Sequence, residues 1–210
     1  MLSSTAYVRH LGNVPYELSL REMQDFNEAR ITDTPDEIWL LEHPAVFTLG
    51  INAREEHILD AGTTPVVRVD RGGQVTWHGP GQLVVYTLLD LQRKKLGVRD
   101  LVCRLERSII STLDSFGINA SGREGAPGVY TEDAKIASIG LRIRHHRCYH
   151  GISINVNPDL DAFKGINPCG YEGLAVTRSA DLGGPQTVAE MAAAFLPTLL
   201  RELDIEQLRS

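Results

Sequence analysis

Residues 71–91 read RGGQVTWHGPGQLVVYTLLDL, and the rest of the chain is organised around this stretch. Four glycines and one proline fall within its first eleven residues, and residues 66–69 and 83–91 on either side are strand-like. Glycine permits positive φ angles and close backbone approach, whereas a plain hairpin loop needs only ~2–5 residues. We therefore predict a glycine-rich loop that wraps a ligand between two apolar strands. The alternative is a long irregular connection around a buried Trp77.

The composition is that of a globular protein, with 210 residues, 42% hydrophobic and 23% charged. No apolar run approaches the ~18–20 residues of a membrane span, and no secretory signal is visible. Three widely spaced cysteines argue against a disulfide framework and for a reducing compartment, so we expect a cytoplasmic protein. The net charge of −6 gives no field that would attract nucleic acid. We expect neither a membrane nor a nucleic-acid partner.

Three helices are predicted from the spacing of apolar residues. One begins after Asn13, which can cap it. Another spans residues 187–203, where Thr187 and Glu190 form a capping box. The clearest spans residues 99–116 and carries one apolar stripe made of Leu101, Leu105, Ile109, Leu113 and Phe116.

Short apolar segments bounded by turn residues predict the strands. They are residues 37–42, 46–49, 66–69, 83–91, 129–131, 135–144 and 149–156. The last three of these form a meander with tight turns. Because no repeat, linker or low-complexity segment is present, we expect one α/β domain over residues 1–210.

The second hairpin of the meander can be paired residue by residue. A four-residue loop at 145–148 would place Gly140 opposite Ser153. Side chains alternate across a strand, so one face carries core residues, namely Ile139, Leu141, Ile143, His150, Ile152, Ile154 and Val156. The other face carries Ser138, Gly140, Gly151 and Ser153, small residues that leave room for a ligand on the sheet. The alternative is a weak glycine-bearing sheet edge.

Lys135 is out of phase with this alternation, because Ile136 is apolar while the later core residues are odd-numbered. A one-residue bulge near residues 137–138 would resolve the conflict. Such a bulge would turn Lys135 toward the face that carries the small residues, where its amine can take part in chemistry. The alternative is a solvated strand lysine.

Cys169 lies in an Asn-Pro-Cys-Gly segment at residues 167–170. Pro168 stiffens the approach and Gly170 leaves the thiol uncrowded, which is typical of a nucleophile, although an inert cysteine is the alternative. Cys103 falls within the predicted helix at 99–116, and we expect it to pack in the core.

Metal and nucleotide sites are not indicated. No Cys-x-x-Cys pair is present for a structural zinc site. The histidines and the cysteine of residues 145–150 form the one metal-like cluster, but alternation would place His150 opposite its neighbours Tyr149 and Gly151. No Walker loop and no G-x-G-x-x-G is present.

Five motifs occur in an order that resembles the lipoyl(octanoyl) transferase family, also called lipoate-protein ligase B. They are RGGQVTWHGPGQ at 71–82, APGVY at 126–130, KIASIG at 135–140, HG at 150–151 and NPCG at 167–170. The resemblance implies an α/β (α+β) fold: a mixed sheet plus a smaller antiparallel sheet with outer helices, similar to the biotin/lipoate ligase catalytic domain.

The resemblance also implies a function. The family moves an octanoyl or lipoyl group from octanoyl-acyl carrier protein to a lysine of lipoyl domains, those of 2-oxoacid dehydrogenase complexes and of glycine-cleavage H protein. Cys169 would hold the acyl thioester, with Lys135 as its catalytic partner. We expect no cofactor, ATP or metal, because the donor is already activated, and we expect a monomer. The implied substrate-binding residues are Arg71, Gly72, Gly73, Gln74, Val75, Thr76, Trp77, His78, Ser138, Ile139, Gly140, Gly151, Ile152 and Ser153.

Other functions stay open on the sequence alone. A lipoate or biotin ligase shares the implied fold, but it needs an adenylate site and no nucleophilic cysteine. An amidotransferase between lipoyl-bearing proteins would use the same chemistry with another donor. A carrier-protein-binding module without turnover would have the docking surface and no working Cys169–Lys135 pair.

Two basic clusters stand out from the acidic background, one at residues 93–99 and the other at residues 142–147. An acidic donor such as an acyl carrier protein would be attracted to such a patch. We favour the second cluster as a docking patch, because it continues the strand that carries Gly140. The alternative is a pair of solvated turns.

Overall fold

The protein's structure, a computed structural model, describes residues 4–170 and 173–208, without the side chains of Ser4 and Cys169. The strands of this part are β1 (Ser4–Asn13), β2 (Asp36–Glu42), β3 (Val46–Leu49), β4 (Val66–Arg68), β5 (Val75–His78), β6 (Gln82–Asp90), β7 (Ser121–Gly122), β8 (Gly128–Thr131), β9 (Ala134–Arg144), β10 (Arg147–Asn155) and β11 (Ile205–Leu208). The α-helices are α1 (Tyr16–Ala29), α2 (Leu91–Lys94), α3 (Val98–Asp114) and α4 (Val188–Leu203). Short 3₁₀ turns lie at Glu55–His57, Leu160–Gly165, Pro168–Gly170 and Ser179–Leu182.

The large sheet has eight strands in the order β11-β1-β2-β6-β10-β9-β8-β7. β1 is parallel to both of its neighbours, while the other pairs are antiparallel. The expected α/β fold with a large mixed sheet is therefore confirmed. None of the helices in the described part of the chain combines the length and apolar character that a bilayer crossing requires.

The small sheet has the order β4-β3-β5 and differs from expectation in two ways. Its β3–β4 pair is parallel and only its β3–β5 pair is antiparallel, so this sheet is mixed as well. Its third strand, β5, lies inside the stretch that we expected to be one loop. The β-prone sequence Val-Thr-Trp-His forms this strand, and glycines bracket it on both sides.

Two apolar layers cover the faces of the large sheet. On one face, α3 and α4 pack against the strands, and Leu101, Leu105 and Ile109 of the predicted stripe are fully buried. Phe116 is 41% exposed because the helix ends before it. The prediction that Cys103 packs in the core is wrong, since this cysteine is exposed on the opposite side of α3.

The helix starts are built differently at the two ends of the chain. The capping box of α4 is confirmed, with the Thr187 side chain and the Glu190 side chain each bonded to the other's backbone. The predicted cap at Asn13 is wrong. Pro15 occupies the N-cap of α1 without a side-chain bond, and Asn13 ends β1 opposite Glu42.

The hairpin between β9 and β10 is tighter than expected. His145 and His146 alone form the turn, with φ angles of 51° and 60°, so Arg144 pairs with Arg147. Positive φ at both turn residues is the geometry of a tight hairpin, and the sequence lacks the Asn-Gly signal that usually announces it. The predicted register is wrong by two residues, and Gly140 faces Gly151.

The bulge in β9 is confirmed, one residue earlier than expected. Tyr130 pairs with Lys135 and Val129 pairs with Ala137, so Ile136 is the extra residue. Ile136 and Ala137 both join the core on one face of the sheet. This change of phase is what separates Lys135 from that core.

Candidate active site

A cavity of about 60 Å³ lies between the two sheets. Among the predicted site residues whose side chains the structure describes, all except Gly72, Trp77 and Lys135 line it. The lining consists of Tyr16, Arg71, Gly73, Gln74, Val75, Thr76, His78, Val84, Tyr86, Ser138, Ile139, Gly140, His150, Gly151, Ile152 and Ser153. Trp77 turns away and packs on Phe163, with ring centroids 5.5 Å apart. Gly72 lies behind the wall, where its N–H donates to the Leu141 carbonyl at 2.8 Å.

One wall of the cavity is the segment that leads into β5, and Arg71 ties it to the small sheet. The Arg71 Nη2 donates to the Thr48 carbonyl at 2.9 Å and to the Thr48 hydroxyl at 2.8 Å. Its Nη1 donates to the Gly72 carbonyl at 3.0 Å. Because Arg71 is only 7% exposed, it places a buried positive charge beside the cavity.

Asp70 fastens the same wall to β10. Its carboxylate accepts hydrogen bonds from the Tyr149 hydroxyl and from His150 Nε2, the latter at 2.9 Å, and a longer one from Gln24 at 3.3 Å. Burial alone would raise the pKa of Asp70, but these hydrogen bonds outweigh burial and hold it well below its usual range. The group is therefore a carboxylate near neutral pH.

His150 does not lie where strand alternation would place it. Its φ angle is 63°, which is unusual for a non-glycine residue. The imidazole stacks on its neighbour Tyr149, with centroids 5.1 Å apart, and lines the cavity. The prediction that His150 belongs to the core face with Leu141 is therefore wrong, and a positive φ in mid-strand is the reason.

The protonation of His150 follows from its partners. Burial lowers its pKa, and Asp70 opposes this, so we take the ring as neutral near pH 7. The Asp70 carboxylate can only accept, hence Nε2 carries the proton and Nδ1 is a bare acceptor. This Nδ1 is buried and has no hydrogen-bond partner among the described residues.

The opposite wall is the strand pair β9–β10, and its glycines serve close packing. A Cβ on Gly151 would lie 2.0 Å from the Val85 carbonyl oxygen of the next strand, and one on Gly140 would lie 3.0 Å from Arg71 Cδ. The positions that side chains would take at these glycines are thus filled by the protein itself, yet both glycines line the cavity. That a ligand lies against them stays a prediction.

Four rings close the inner side of the cavity. His43 Nε2 lies 2.7 Å from the Tyr86 hydroxyl and its Nδ1 lies 2.6 Å from the Val14 carbonyl. Since a carbonyl only accepts, Nδ1–H donates to it and Tyr86 O–H donates to Nε2. Tyr16 stacks on His78 at 5.7 Å and lies 5.0 Å from His43.

Burial keeps these rings uncharged. It lowers the pKa of His43 to about 4 and that of His78 to about 3. It also raises the pKa of Tyr16 to about 12 and that of Tyr86 well above its usual value. The inner side of the cavity is therefore polar and neutral near pH 7.

A chain of hydrogen bonds orients His78. Asn155 donates to the Thr177 carbonyl at 3.0 Å and accepts from Gln82 Nε2 at 2.9 Å. The Gln82 Oε1 is then left to accept from His78 Nδ1 at 2.7 Å. Thr177 N–H in turn donates to the Lys135 carbonyl at 3.0 Å, so backbone at Lys135 and the cavity ring are linked.

Lys135 is buried, with 4% exposure, beside the start of β9. Its Nζ lies 5.2 Å from the centre of the Tyr130 ring. A Cβ on Gly128 would come within 2.6 Å of Lys135 Cε, so a glycine is needed there to make room for the lysine side chain.

The backbone turn Pro168–Gly170 carries Cys169, whose side chain lies outside the described part of the structure. The segment is anchored on one side, where Asn167 N–H donates to the His57 carbonyl at 2.8 Å, and on the other, where Lys135 N–H donates to the Ala175 carbonyl at 2.8 Å. A Cβ on Gly170 would lie 3.3 Å from the Gln74 side chain, which lines the cavity. The turn thus adjoins the cavity.

Sequence reasoning missed several residues of the cavity. Val84 and Tyr86 alternate with the core residues of β6, so alternation could have found them. Tyr16 and His150 carry no such signal. Within residues 4–170 and 173–208, no group of three or more His, Cys, Asp or Glu side chains is arranged to hold a metal ion.

Comparison with known proteins identifies the family. The chain is 57% identical over 201 residues to an octanoyltransferase of Methylococcus capsulatus, covering 96% of this chain and 97% of that protein. The chain belongs to the lipoyl(octanoyl) transferase family. Residues 15–200 also match the lipoyl protein ligase A/B catalytic domain, and the predicted family is confirmed.

Solved structures show how this family fold extends to ligases. A bipartite lipoate protein ligase from Thermoplasma acidophilum superimposes with a TM-score of 0.80 at 14% identity, covering 99% of this chain and 87% of that one. A biotin protein ligase from Aquifex aeolicus gives 0.54 at 12% identity, covering 95% and 69%. At such identities the likeness shows the fold alone, and it confirms the expected similarity of fold to lipoate and biotin ligases.

In this member of the octanoyltransferase family, several residues of the two basic clusters form ion pairs or hydrogen bonds within the chain. Arg93 donates to Asp36 at 2.6 Å, and Arg144 pairs with Glu28 at 2.6 Å. Arg147 donates to the Asn27 carbonyl at 3.0 Å. The second cluster therefore also fastens β9 and β10 to α1, and its role in donor docking stays a prediction.

Proposed function

We propose that the protein transfers an octanoyl group from acyl carrier protein to a lysine of a lipoyl domain, through an acyl thioester on Cys169. The observation that carries this proposal is the position of the Pro168–Gly170 turn beside Gln74, whose side chain would lie 3.3 Å from a Cβ on Gly170. It joins the segment that bears the nucleophile to a cavity lined by the residues that the family resemblance assigns to the acyl group.

The first half-reaction exchanges one thioester for another. The Cys169 thiolate attacks the acyl carbonyl, the new carbon–sulfur bond forms, and the carrier thiolate leaves and takes a proton from the Lys135 ammonium, which becomes a neutral amine. A free cysteine has a pKa of about 8.5 and is only a few per cent ionised near pH 7. A nearby cation favours the thiolate, and Lys135 is the cation that we assign to this role.

The second half-reaction forms an amide. The amine of the acceptor lysine attacks the Cys169 thioester, the carbon–nitrogen bond forms, and the thiolate leaves. Lys135, as a neutral amine, takes the proton that the attacking amine loses. Amide is more stable than thioester, so this step drives the transfer without ATP.

The packing around Lys135 supports its assignment. Burial and the glycine at position 128 hold the side chain in one place, and the bulge at Ile136 turns it away from the core. A solvated strand lysine, the alternative on sequence alone, is contradicted by its 4% exposure.

Replacing the proposed nucleophile gives the direct test. Cys169→Ser should abolish octanoyl transfer, and intact mass spectrometry after incubation with octanoyl-acyl carrier protein should show no thioester adduct. Cys103→Ser is the matched control, because Cys103 is exposed on α3 and should leave the rate unchanged. Transfer by Cys169→Ser at the unmodified rate would overturn the proposal.

Lys135→Arg separates the two roles of the lysine. Arginine keeps the positive charge but cannot act as a neutral base near pH 7. Acylation of Cys169 should survive in part while amide formation fails, as single-turnover measurements of each half-reaction would reveal. An equal loss of rate in the two half-reactions would refute the role of Lys135 as a base.

The relation to ligase folds calls for one further control. A ligase would use free octanoate and ATP, whereas the proposed transferase should not modify a lipoyl domain from these substrates. An amidotransferase would instead accept octanoyl groups from another lipoyl-bearing protein. Supplying each donor separately, with the acceptor followed by mass, distinguishes these alternatives.

A further inference from the structure

The two ends of the cavity differ in exposure. Gln74, Ser138 and Gly140 are partly exposed, whereas Tyr86 and His150 at the other end are 3% and 1% exposed. The Pro168–Gly170 turn lies beside Gln74, because a Cβ on Gly170 would come within 3.3 Å of that side chain, so the turn lies at the mouth. An acyl chain attached in this turn would extend inward, toward the buried end.

The distance from mouth to buried end is set by the large sheet. Ser138 on β9 pairs with Ser153 on β10, and β10 pairs with β6, which carries Val84 and Tyr86. Neighbouring strands lie ~4.8 Å apart, so crossing from β9 to β6 takes roughly 10 Å, about the length of an extended eight-carbon chain.

The buried end is a rigid wall made of Tyr16, His78, Tyr86 and His150, which we call the inner wall. Hydrogen bonding to His43 fixes Tyr86, and stacking on Tyr16 together with the bond to Gln82 fixes His78. Close-packed interiors transmit such restraints with little give, so the wall cannot easily retreat before a longer chain.

We propose that the inner wall sets the length of the acyl chain, with its four buried rings as the stop. This inference rests on the proposed function and adds the residues that select the substrate. It assigns a specificity role to Tyr16, Tyr86 and His150, which the family resemblance left outside the acyl-binding set.

Competition between chain lengths tests the rings. Equal amounts of octanoyl- and decanoyl-acyl carrier protein are supplied together, and the two products on the lipoyl domain are separated by mass, which gives the ratio of kcat/KM values. Tyr86→Leu shortens the wall and should raise the decanoyl-to-octanoyl ratio about tenfold. Val84→Leu fills the cavity and should shift preference toward hexanoyl in the matching competition.

Leu88→Ala is the matched control. Leu88 is a fully buried residue of the same strand and apolar cluster as Tyr86 but is not among the residues that line the cavity. This substitution should lower stability and leave the chain-length ratio unchanged. An unchanged ratio in Tyr86→Leu, or an equal shift in Leu88→Ala, would overturn the inference about the rings.

A binding measurement separates this inference from the proposed function. Calorimetry with free octanoate and decanoate needs no transfer step. The unmodified protein should bind octanoate more tightly than decanoate, and Tyr86→Leu should reduce this difference in affinity. Both results are expected even if the donor or the nucleophile has been misassigned. Equal binding of both acids by the unmodified protein would refute the inner wall as a stop, whatever the transfer assays show.

Discussion

The two walls of the cavity are held by different forces. The strand wall, formed by β9 and β10, is built from backbone hydrogen bonds, and its glycines bring neighbouring strands and side chains into close contact. The loop wall, residues 70–78, depends on buried side chains, since Asp70 bonds to His150 and Tyr149 while Arg71 bonds to Thr48. Substitutions that add atoms should therefore disrupt the strand wall, whereas substitutions that remove polar groups should loosen the loop wall.

The largest effect is expected from Gly151→Ala in the strand wall. The new Cβ would lie 2.0 Å from the Val85 carbonyl oxygen, a backbone atom that cannot move without shifting β6. The free energy of unfolding should fall by about 3 kcal/mol or more, measured by urea denaturation. Gly72→Ala is the control, because its Cβ would meet its nearest atom at 3.4 Å. Similar stability in both variants would refute the close-packing account.

Acidification should weaken the rings that join the two walls. The folded pKa of His43 is about 4 and that of His78 about 3, both below the usual 6.5. At pH values between the folded pKa of each ring and 6.5, the unfolded chain binds more protons than the folded protein does, so the free energy of unfolding falls as pH falls. From pH 7 to pH 5 the loss should be about 2 kcal/mol for His43 alone.

Urea denaturation at both pH values measures this loss. His43→Gln, which keeps a donor and an acceptor, should remove the share of this pH dependence that His43 contributes and leave the share of His78. Asp70 does not contribute in this range, because its stabilisation is lost only as pH falls below its ordinary pKa of 3.8. A slope that His43→Gln leaves intact would show that His43 is not the titrating group.

Asp70→Asn should loosen the loop wall without blocking the strands. The amide can accept from only one of the two donors that the carboxylate now holds, His150 and Tyr149. We expect a loss of about 1–2 kcal/mol in stability and a larger proportional loss in octanoyl transfer. Gln24→Ala, which removes only the longest of the hydrogen bonds to Asp70, should have little effect on either stability or octanoyl transfer. Equal effects of the two substitutions would argue against the clamp.

The smallest change in stability is expected from Gly140→Ala, where the walls touch. The new Cβ would lie 3.0 Å from Arg71 Cδ, and a side chain can yield where a backbone cannot. Stability should fall by about 1 kcal/mol, while transfer falls about tenfold because Arg71 shifts beside the cavity. Thermal unfolding measures the change in stability, and initial rates measure the change in octanoyl transfer. Unchanged transfer would show that the position of Arg71 is not critical.

The sequence predicted elements whose residues follow a regular period. The stripe of α3, the capping box of α4 and the central strands were found, because burial of one face imposes a period on the sequence. β1 was missed since Tyr7 and Arg9 are exposed and the strand reads as polar. β5 was hidden between glycines that suggested one continuous loop.

The identities of the site residues were predicted more accurately than the physical reasons for their positions. The family resemblance named most of the residues that meet at the cavity, but the glycines proved to serve packing. Two backbone conformations were beyond a pattern-based reading: the turn at His145 and His146, and the positive φ at His150. Each is a local exception that tertiary contacts impose and that residue type does not announce.

The pairing of β11 with β1 has a consequence for the order of folding. Ser4 pairs with Ile205, so the first described strand waits for nearly the whole chain before this edge of the sheet is complete. Contacts so distant in sequence slow folding. During synthesis, β1 can pair early with β2 on one side, while its other side exposes unpaired amides on which a neighbouring nascent chain can add a strand. Residues 205–208 act as the late cover that ends this exposure.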